Sequence, residues 1–263
     1  MLIKGRIRKE VTPKRVFSVL KLINMYNGKL KEEEICDLVQ PSRLCDKEEK
    51  YEDSKKVIKF LKDEKFINEN IDKKLELNIN SEDIKDIRSF KEYFSKNVFN
   101  NMKEDSLFFE VTSEILSKDL DFYEFSSFDE IGRRLENKEV DKEFILAWRF
   151  WAEFLGFGNI LNNQFLINPY VRILDRVINN LEYEEKKYPI SRFIMMVKQE
   201  CPEFRKIIEN NSIGLSLTLA LRTLEGLGKI KMLNVRDSTD IWKLYYSTIE
   251  KTEITDIEIV RGI

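Results

Sequence analysis

Lys55, Lys59 and Lys62 stand at i, i+4 and i+7, a spacing that sets three ammonium groups on one face of a helix, opposite Val57, Ile58 and Leu61. Cations so arranged can neutralise successive phosphates of a nucleic-acid backbone. A set made of lysine favours backbone attraction over base reading, because bidentate contacts to guanine favour arginine. Lys73 and Lys74 follow a short way on, and Lys4, Arg6, Arg8 and Lys9 precede, so flanking phosphates come within reach of the same region. Glu52, Asp53, Asp63 and Glu64 lie among these lysines and dilute their field, and a solvated helix face is the plain alternative.

Other chemistry is scarce. The chain has no histidine, which removes Ser-His-Asp and Cys-His catalysis, histidine metal sites and every imidazole-based nuclease. Cys36, Cys45 and Cys201 are too scattered for a zinc cage or a disulfide framework and read as ordinary thiols. Glu-x-Lys triplets at Glu48–Lys50 and Glu136–Lys138, the second preceded by Asp121, lie in helical or loop text. A metal-dependent nuclease needs such carboxylates on adjacent strands, and a chain this rich in Glu and Lys produces the triplets by chance. The "GFG" and "GLG" stretches are helix stops, not phosphate loops. The expectation is a protein that is not an enzyme and carries no cofactor and no metal.

Positioning these residues falls to helices. In 263 residues, nine Gly and five Pro leave little punctuation for long loops, while 42% apolar residues suffice for cores. The amino-terminal stretch has its apolar residues interrupted by Lys21 and lacks a cleavage pattern, so no signal peptide is read. No run nears the roughly 18 apolar residues of a membrane span. A cytoplasmic protein without membrane contact is expected.

"TPKRVFSVLKLINMYNGKL" opens with Thr12 as cap and Pro13 at the first helical position, and stops at Asn27-Gly28. "KEEEICDLVQ" and "EDSKKVIKFLKDEKFI" are two further helices, and "FINENIDKKLELNI" is a hairpin. The order returns in the middle of the chain. "SSFDEIGRRLEN" has the capping-box spacing of Ser127 and Glu130, and "DKEFILAWRFWAEFLGFGNILNNQFLINPY" is a long helix, a glycine stop and a hairpin at Asn162-Asn163. It returns again in "SRFIMMVKQE", "PEFRKIIEN" and "GLSLTLALRTLEGLG" with wing strands "KIKMLNV" and "IWKLYY", and "ITDIEIV" is a candidate final strand. Overlaid, Ile58, Trp151 and Leu221 coincide, then Leu61, Phe154 and Leu224, then Ile67, Ile160 and Ile230. Hairpins are therefore expected near 66–79, 159–168 and 229–246.

The stretches "KVIKFLKDEKFI", "WRFWAEFLGFGNI" and "ALRTLEGLGKI" with their hairpins resemble the winged-helix superfamily. The resemblance implies a mainly α fold with short β-hairpins, built as tandem winged helix-turn-helix units. Many members bind DNA through the third helix, and others only join proteins. An acidic unit between two others is also similar to accessory winged-helix components of bacterial DNA-modification or anti-phage gene clusters, such as deazaguanine-in-DNA islands.

Three units follow: 1–80, a basic winged-helix unit; 81–187, a helical linker with an acidic unit; and 188–263, a third unit. Lys and Arg against Asp and Glu count 19 to 15, 15 to 22 and 11 to 10, hence net +4, −7 and +1. Double-stranded DNA is the expected partner of the first unit, through Lys55, Lys59, Lys62, Lys73, Lys74, Arg6 and Arg8. The acidic unit would repel a phosphate backbone. Its aromatic-rich long helix makes Trp148, Phe150 and Phe157 candidates for contact with a protein partner or a second copy, a role shared by the second and third units. The competing expectation is a protein–protein scaffold with no DNA contact.

Overall fold

The computed structural model describes residues 7–41, 51–100, 106–118, 131, 133–135, 140–162, 164–181, 186–245 and 252–260. These form a mainly α-helical protein with small sheets of two to four strands. They fall into two compact units: Met1–Phe108 with Glu143–Phe154, and Phe109–Lys142 with Leu155–Ile263.

The first unit opens with α1 (Pro13–Met25), whose Thr12 hydroxyl accepts from Arg15 N–H and whose Pro13 gives up no needed donor. Asn27 and Gly28 then take positive φ and stop it. A Cβ at Gly28 would lie 2.7 Å from Glu76 Cγ, so the turn needs glycine for space as well as for conformation. Next come α2 (Glu32–Val39), closed by Glu34 accepting from Lys31 N–H, and α3 (Glu52–Asp63). The stripes Val16, Val19, Leu20 and Ile23, then Ile35 and Cys36, then Val57, Ile58 and Leu61 are all buried, so the helical periods meet in one core.

Strands β1 (Ile67–Glu69) and β2 (Leu75–Leu77) make the expected hairpin. Its turn is held by Asn70 Oδ1, which accepts from the N–H groups of Asp72 and Lys74, with Lys73 at φ +61°. Lys31 bridges Lys74, and Leu75 N–H donates to Leu30 at 3.0 Å, so the α1–α2 link adds an edge to the hairpin.

Two further helices complete this unit: α4 (Ile87–Asn100) and most of a helix α6 (Lys142–Leu155) that follows α5 (Leu107–Leu116) in the chain. Trp151 of α6 stacks on Phe94 at 4.3 Å and lies 6.0 Å from Phe60, and its indole N–H donates to Val11 carbonyl at 2.8 Å. Repeated order in the sequence places this helix with residues 81–187. Its packing places Glu143–Phe154 with the amino-terminal helices, because its aromatic stripe fills their core.

In the second unit β3 (Gly158–Leu161) and β4 (Gln164–Ile167) form the second expected hairpin, with Asn162 at positive φ. Gly158 is required there, since a Cβ would run into Leu166 carbonyl oxygen. Of the capped helix expected at Ser127 and Glu130, the cap residues lie outside the described residues, as does Asn163, while Ile131, Arg133 and Arg134 are helical. Then follow α7 (Tyr170–Arg176), β5 (Lys187–Pro189), α8 (Ile190–Glu200), a 3-10 helix at Pro202–Ile207, β6 (Ile208–Glu209), β7 (Ser212–Ile213) and α9 (Leu215–Gly226).

The third expected hairpin, 229–246, does not form. Its strands β8 (Ile230–Leu233) and β9 (Trp242–Lys243) take other partners: β10 (Glu253–Ile254) and β11 (Asp256–Ile259) come from the candidate final strand. The order is β5-β11-β8 in one sheet and β10-β9-β7-β6 in another. Ile257 and Ile259 alternate inward along β11, Thr255 N–H donates to Leu233 carbonyl at 2.8 Å, and the Thr255 hydroxyl donates to Asp256 Oδ2 at 2.7 Å while accepting from Val235 N–H. A strand with a buried alternating face and a side-chain clamp displaces the local hairpin partner. The register of the repeated junction is nevertheless kept in burial: Ile58, Trp151, Leu221, Leu61, Leu224, Ile67 and Ile230 are buried, with Phe154 and Ile160 half-buried.

Candidate nucleic-acid interface

Helix α3 exposes one side to solvent because Ser54, Val57, Ile58 and Leu61 occupy the other. Lys55 and Lys59 are exposed on it and make no ion pair among the described residues. Lys62 differs. Its ammonium is held by Glu32 at 2.8 Å and Glu69 at 2.6 Å. Burial disfavours that charge, but the two carboxylates outweigh it and the Lys62 pKa lies above the ordinary lysine value. Glu69 is correspondingly pulled below the usual carboxylate value by Lys62. The three lysines share a stripe, and α2 and β1 reach only the last of them.

The acids beside this stripe are partly compensated. Asp53 is taken by Arg15 at 3.0 Å, and Glu52 lies 3.6 Å from Lys56, which also holds Glu10 at 2.8 Å. Asp63 stays exposed one turn beyond Lys59 and works against a phosphate there. Lys73 is exposed at the hairpin turn, and Lys74 is half-buried with Asp72 at 3.7 Å. The β-bridge that joins Lys31 to Lys74 adds the exposed Lys31 to this edge. No periodicity in the sequence signals that cation, since only strand pairing makes the two residues neighbours. Arg8 is exposed; Lys9 is engaged by Glu143 at 2.9 Å; Arg6 and Lys4 lie outside the described residues.

The candidate partner-binding aromatics separate as well. Trp148 and Phe157 are each 1% exposed and offer no surface, because the helix they belong to or follow is enclosed on more than one side. Phe150 is half-buried, with the Arg149 guanidinium 4.7 Å above its ring, and of the three it alone keeps solvent-facing area.

A buried polar cluster in the second unit has no signature in the sequence. Arg172 Nε donates to Glu203 Oε1 at 2.7 Å with both side chains excluded from solvent, and Arg176 donates to Glu200 at 2.7 Å. The Arg172 guanidinium also lies 5.3 Å from the Phe157 ring centre. Burial pushes the neighbouring Cys201 thiol far up, and Cys36 up to about 11, so both are protonated at neutral pH. Among the described residues no group of three or more His, Cys, Asp and Glu side chains is placed to hold a metal ion, and no helix is long and apolar enough to cross a membrane.

Fold and face define a mainly α-helical protein with short β elements, whose amino-terminal unit sets a lysine-bearing third helix beside a hairpin. The chain belongs to the DpdG-like family, whose model matches residues 7–238, and the membership is consistent with a component of a DNA-modification or defence cluster. No curated protein and no solved structure matches it.

Proposed function

We propose that this protein is a non-enzymatic, DNA-binding accessory of a bacterial DNA-modification or defence system, built on winged-helix units. Its amino-terminal unit holds duplex DNA by the phosphate backbone. Lys55 and Lys59 of α3 carry the contact, with Lys73, Lys74 and Arg8 on flanking phosphates. The observation that carries the reading is the third helix of a helix-helix-helix-hairpin order whose two outward lysines have no carboxylate partner among the described residues. The lysine composition favours sequence-independent binding, which is steeply salt-dependent.

In this reading the acidic middle of the chain, net −7 over residues 81–187, stays off the duplex and serves protein contacts together with the carboxy-terminal part. Phe150 is the aromatic residue best placed for that role. The test is binding of the full chain to labelled duplexes of unrelated sequence across a salt series. Similar affinities for all of them that fall steeply with salt support the proposal. Absence of binding at low salt leaves the scaffold reading, in which the same units join proteins only.

A further inference from the structure

A second surface of the amino-terminal unit has the opposite character from the lysine face. Tyr26 at the end of α1, Leu30 in the α1–α2 link, and Glu33, Glu34, Asp37 and Leu38 of α2 line an open groove of about 440 Å³. Tyr26 is 42% and Leu38 47% exposed, so large apolar side chains of this lining stay open to solvent. Three carboxylates edge that groove, and among the described residues no cation lines it. Lys29 and Lys31 of the same link are exposed but lie outside the lining. Glu34 spends one oxygen on Lys31 N–H, Asp37 accepts from the Tyr51 hydroxyl at 2.6 Å, and Glu33 has no partner among the described residues.

The carboxylates are an outcome of the helix geometry. Ile35 and Cys36 turn inward, so the residues before and after them, Glu33, Glu34, Asp37 and Leu38, face out together. Acids in the first turn of a helix are ordinary, since they suit its dipole. Asp37 lies beyond that turn, and an exposed leucine next to it adds nothing to the helix. The pairing of apolar floor and acidic rim is what a docking surface for a cationic amphipathic segment requires.

We propose that this groove docks a basic, leucine-bearing helical segment of a partner protein. Apolar side chains of that segment would lie on Tyr26, Leu30 and Leu38, and its Lys or Arg residues would meet Glu33, Glu34 and Asp37. The chemistry selects against the other occupants: a nucleic acid and an anionic lipid surface are both repelled by the rim. None of the groove residues belongs to the lysine face of α3, so the inference does not depend on the DNA reading.

The experiment uses the full chain and three fluorescent synthetic helices. One has leucines on one stripe and lysines on the other, one replaces lysine by glutamate, and one replaces leucine by serine. Glu33→Lys is the principal variant because that side chain has no partner among the described residues; Leu38→Ser is the second, and both are checked for an unchanged thermal transition. The lysine–leucine helix is expected to bind, with the other two at least tenfold weaker and each variant at least tenfold weaker for it. Unchanged affinity in Glu33→Lys, or equal binding of the serine helix, would overturn the proposal. Sedimentation without peptide is the second arm: a dimer that Glu33→Lys dissociates would assign the groove to a second copy of the chain and overturn it too.

Discussion

The contact between Lys62 and two carboxylates separates three lysines that look equivalent on a helical wheel. A lysine already neutralised by Glu32 and Glu69 releases little counterion when a phosphate approaches, whereas Lys55 and Lys59 have no carboxylate partner among the described residues. Each phosphate contact contributes about 0.9 to the slope of log affinity against log salt. Lys55→Ala with Lys59→Ala should therefore flatten the slope by about 1.8. Between 50 and 200 mM salt, the native protein should lose about tenfold more affinity than that double variant. Lys62→Ala should leave the slope within about 0.3 of native, because an ammonium already held by Glu32 and Glu69 makes no phosphate contact whose counterions could be released. It should cost stability by less than about 1 kcal/mol, as a half-exposed ion-pair network does. Fluorescence anisotropy with a labelled duplex over a salt series measures the slopes, and urea unfolding the stability. Equal flattening by Lys62→Ala and by either single replacement would refute the distinction; no flattening in the double variant would move the DNA contact away from α3.

The buried pair in the second unit should behave in the opposite way from a surface pair: Glu203→Ala, which strands Arg172 away from water, should cost about 3–5 kcal/mol by urea unfolding. Joint replacement by Leu at 203 and Met at 172 should cost less than that single change, since no charge is then left buried. Trp151→Phe keeps an aromatic ring but removes the pyrrole ring and its donor to Val11 carbonyl, and a loss of at least about 1–3 kcal/mol is expected in the same assay. On Glu10, burial works to raise the carboxyl pKa, but hydrogen bonding to Lys56 prevails and the value lies below the usual 4.5. Its contribution is thus present above 4.5 and lost as pH falls through the lowered value, so Glu10→Gln should shallow the acid limb of the stability profile below pH 4.5; because the hydrogen bond to Glu10 also raises the Lys56 pKa, the same change should shallow the far-alkaline limb. Cys36 and Cys201 should resist a thiol reagent at neutral pH in the native protein and react after denaturation, as mass spectrometry of labelled peptides would record.

Helices and their inward faces were legible in the sequence because local rules govern them. Thr12-Pro13 opens α1, Asn27-Gly28 ends it, and the spacing of Val57, Ile58 and Leu61 names the buried side of α3 and hence where Lys55 and Lys59 must point. The first two hairpins were legible for the same reason: each turn lies between strands only a few residues apart. Partners distant along the chain were decided by tertiary structure. Strand β8 pairs with β11 and not with the nearby β9, and β11 turns its alternating Ile257 and Ile259 into the core. Helix α6 sets Trp151 among Phe60 and Phe94, residues distant from it along the chain. The same holds for charge. The sequence lists the cations and acids of α2, α3 and the hairpin, but which lysine is left free depends on where Glu32 and Glu69 fall in space, and a Coulomb field is set by distance and not by order along the chain.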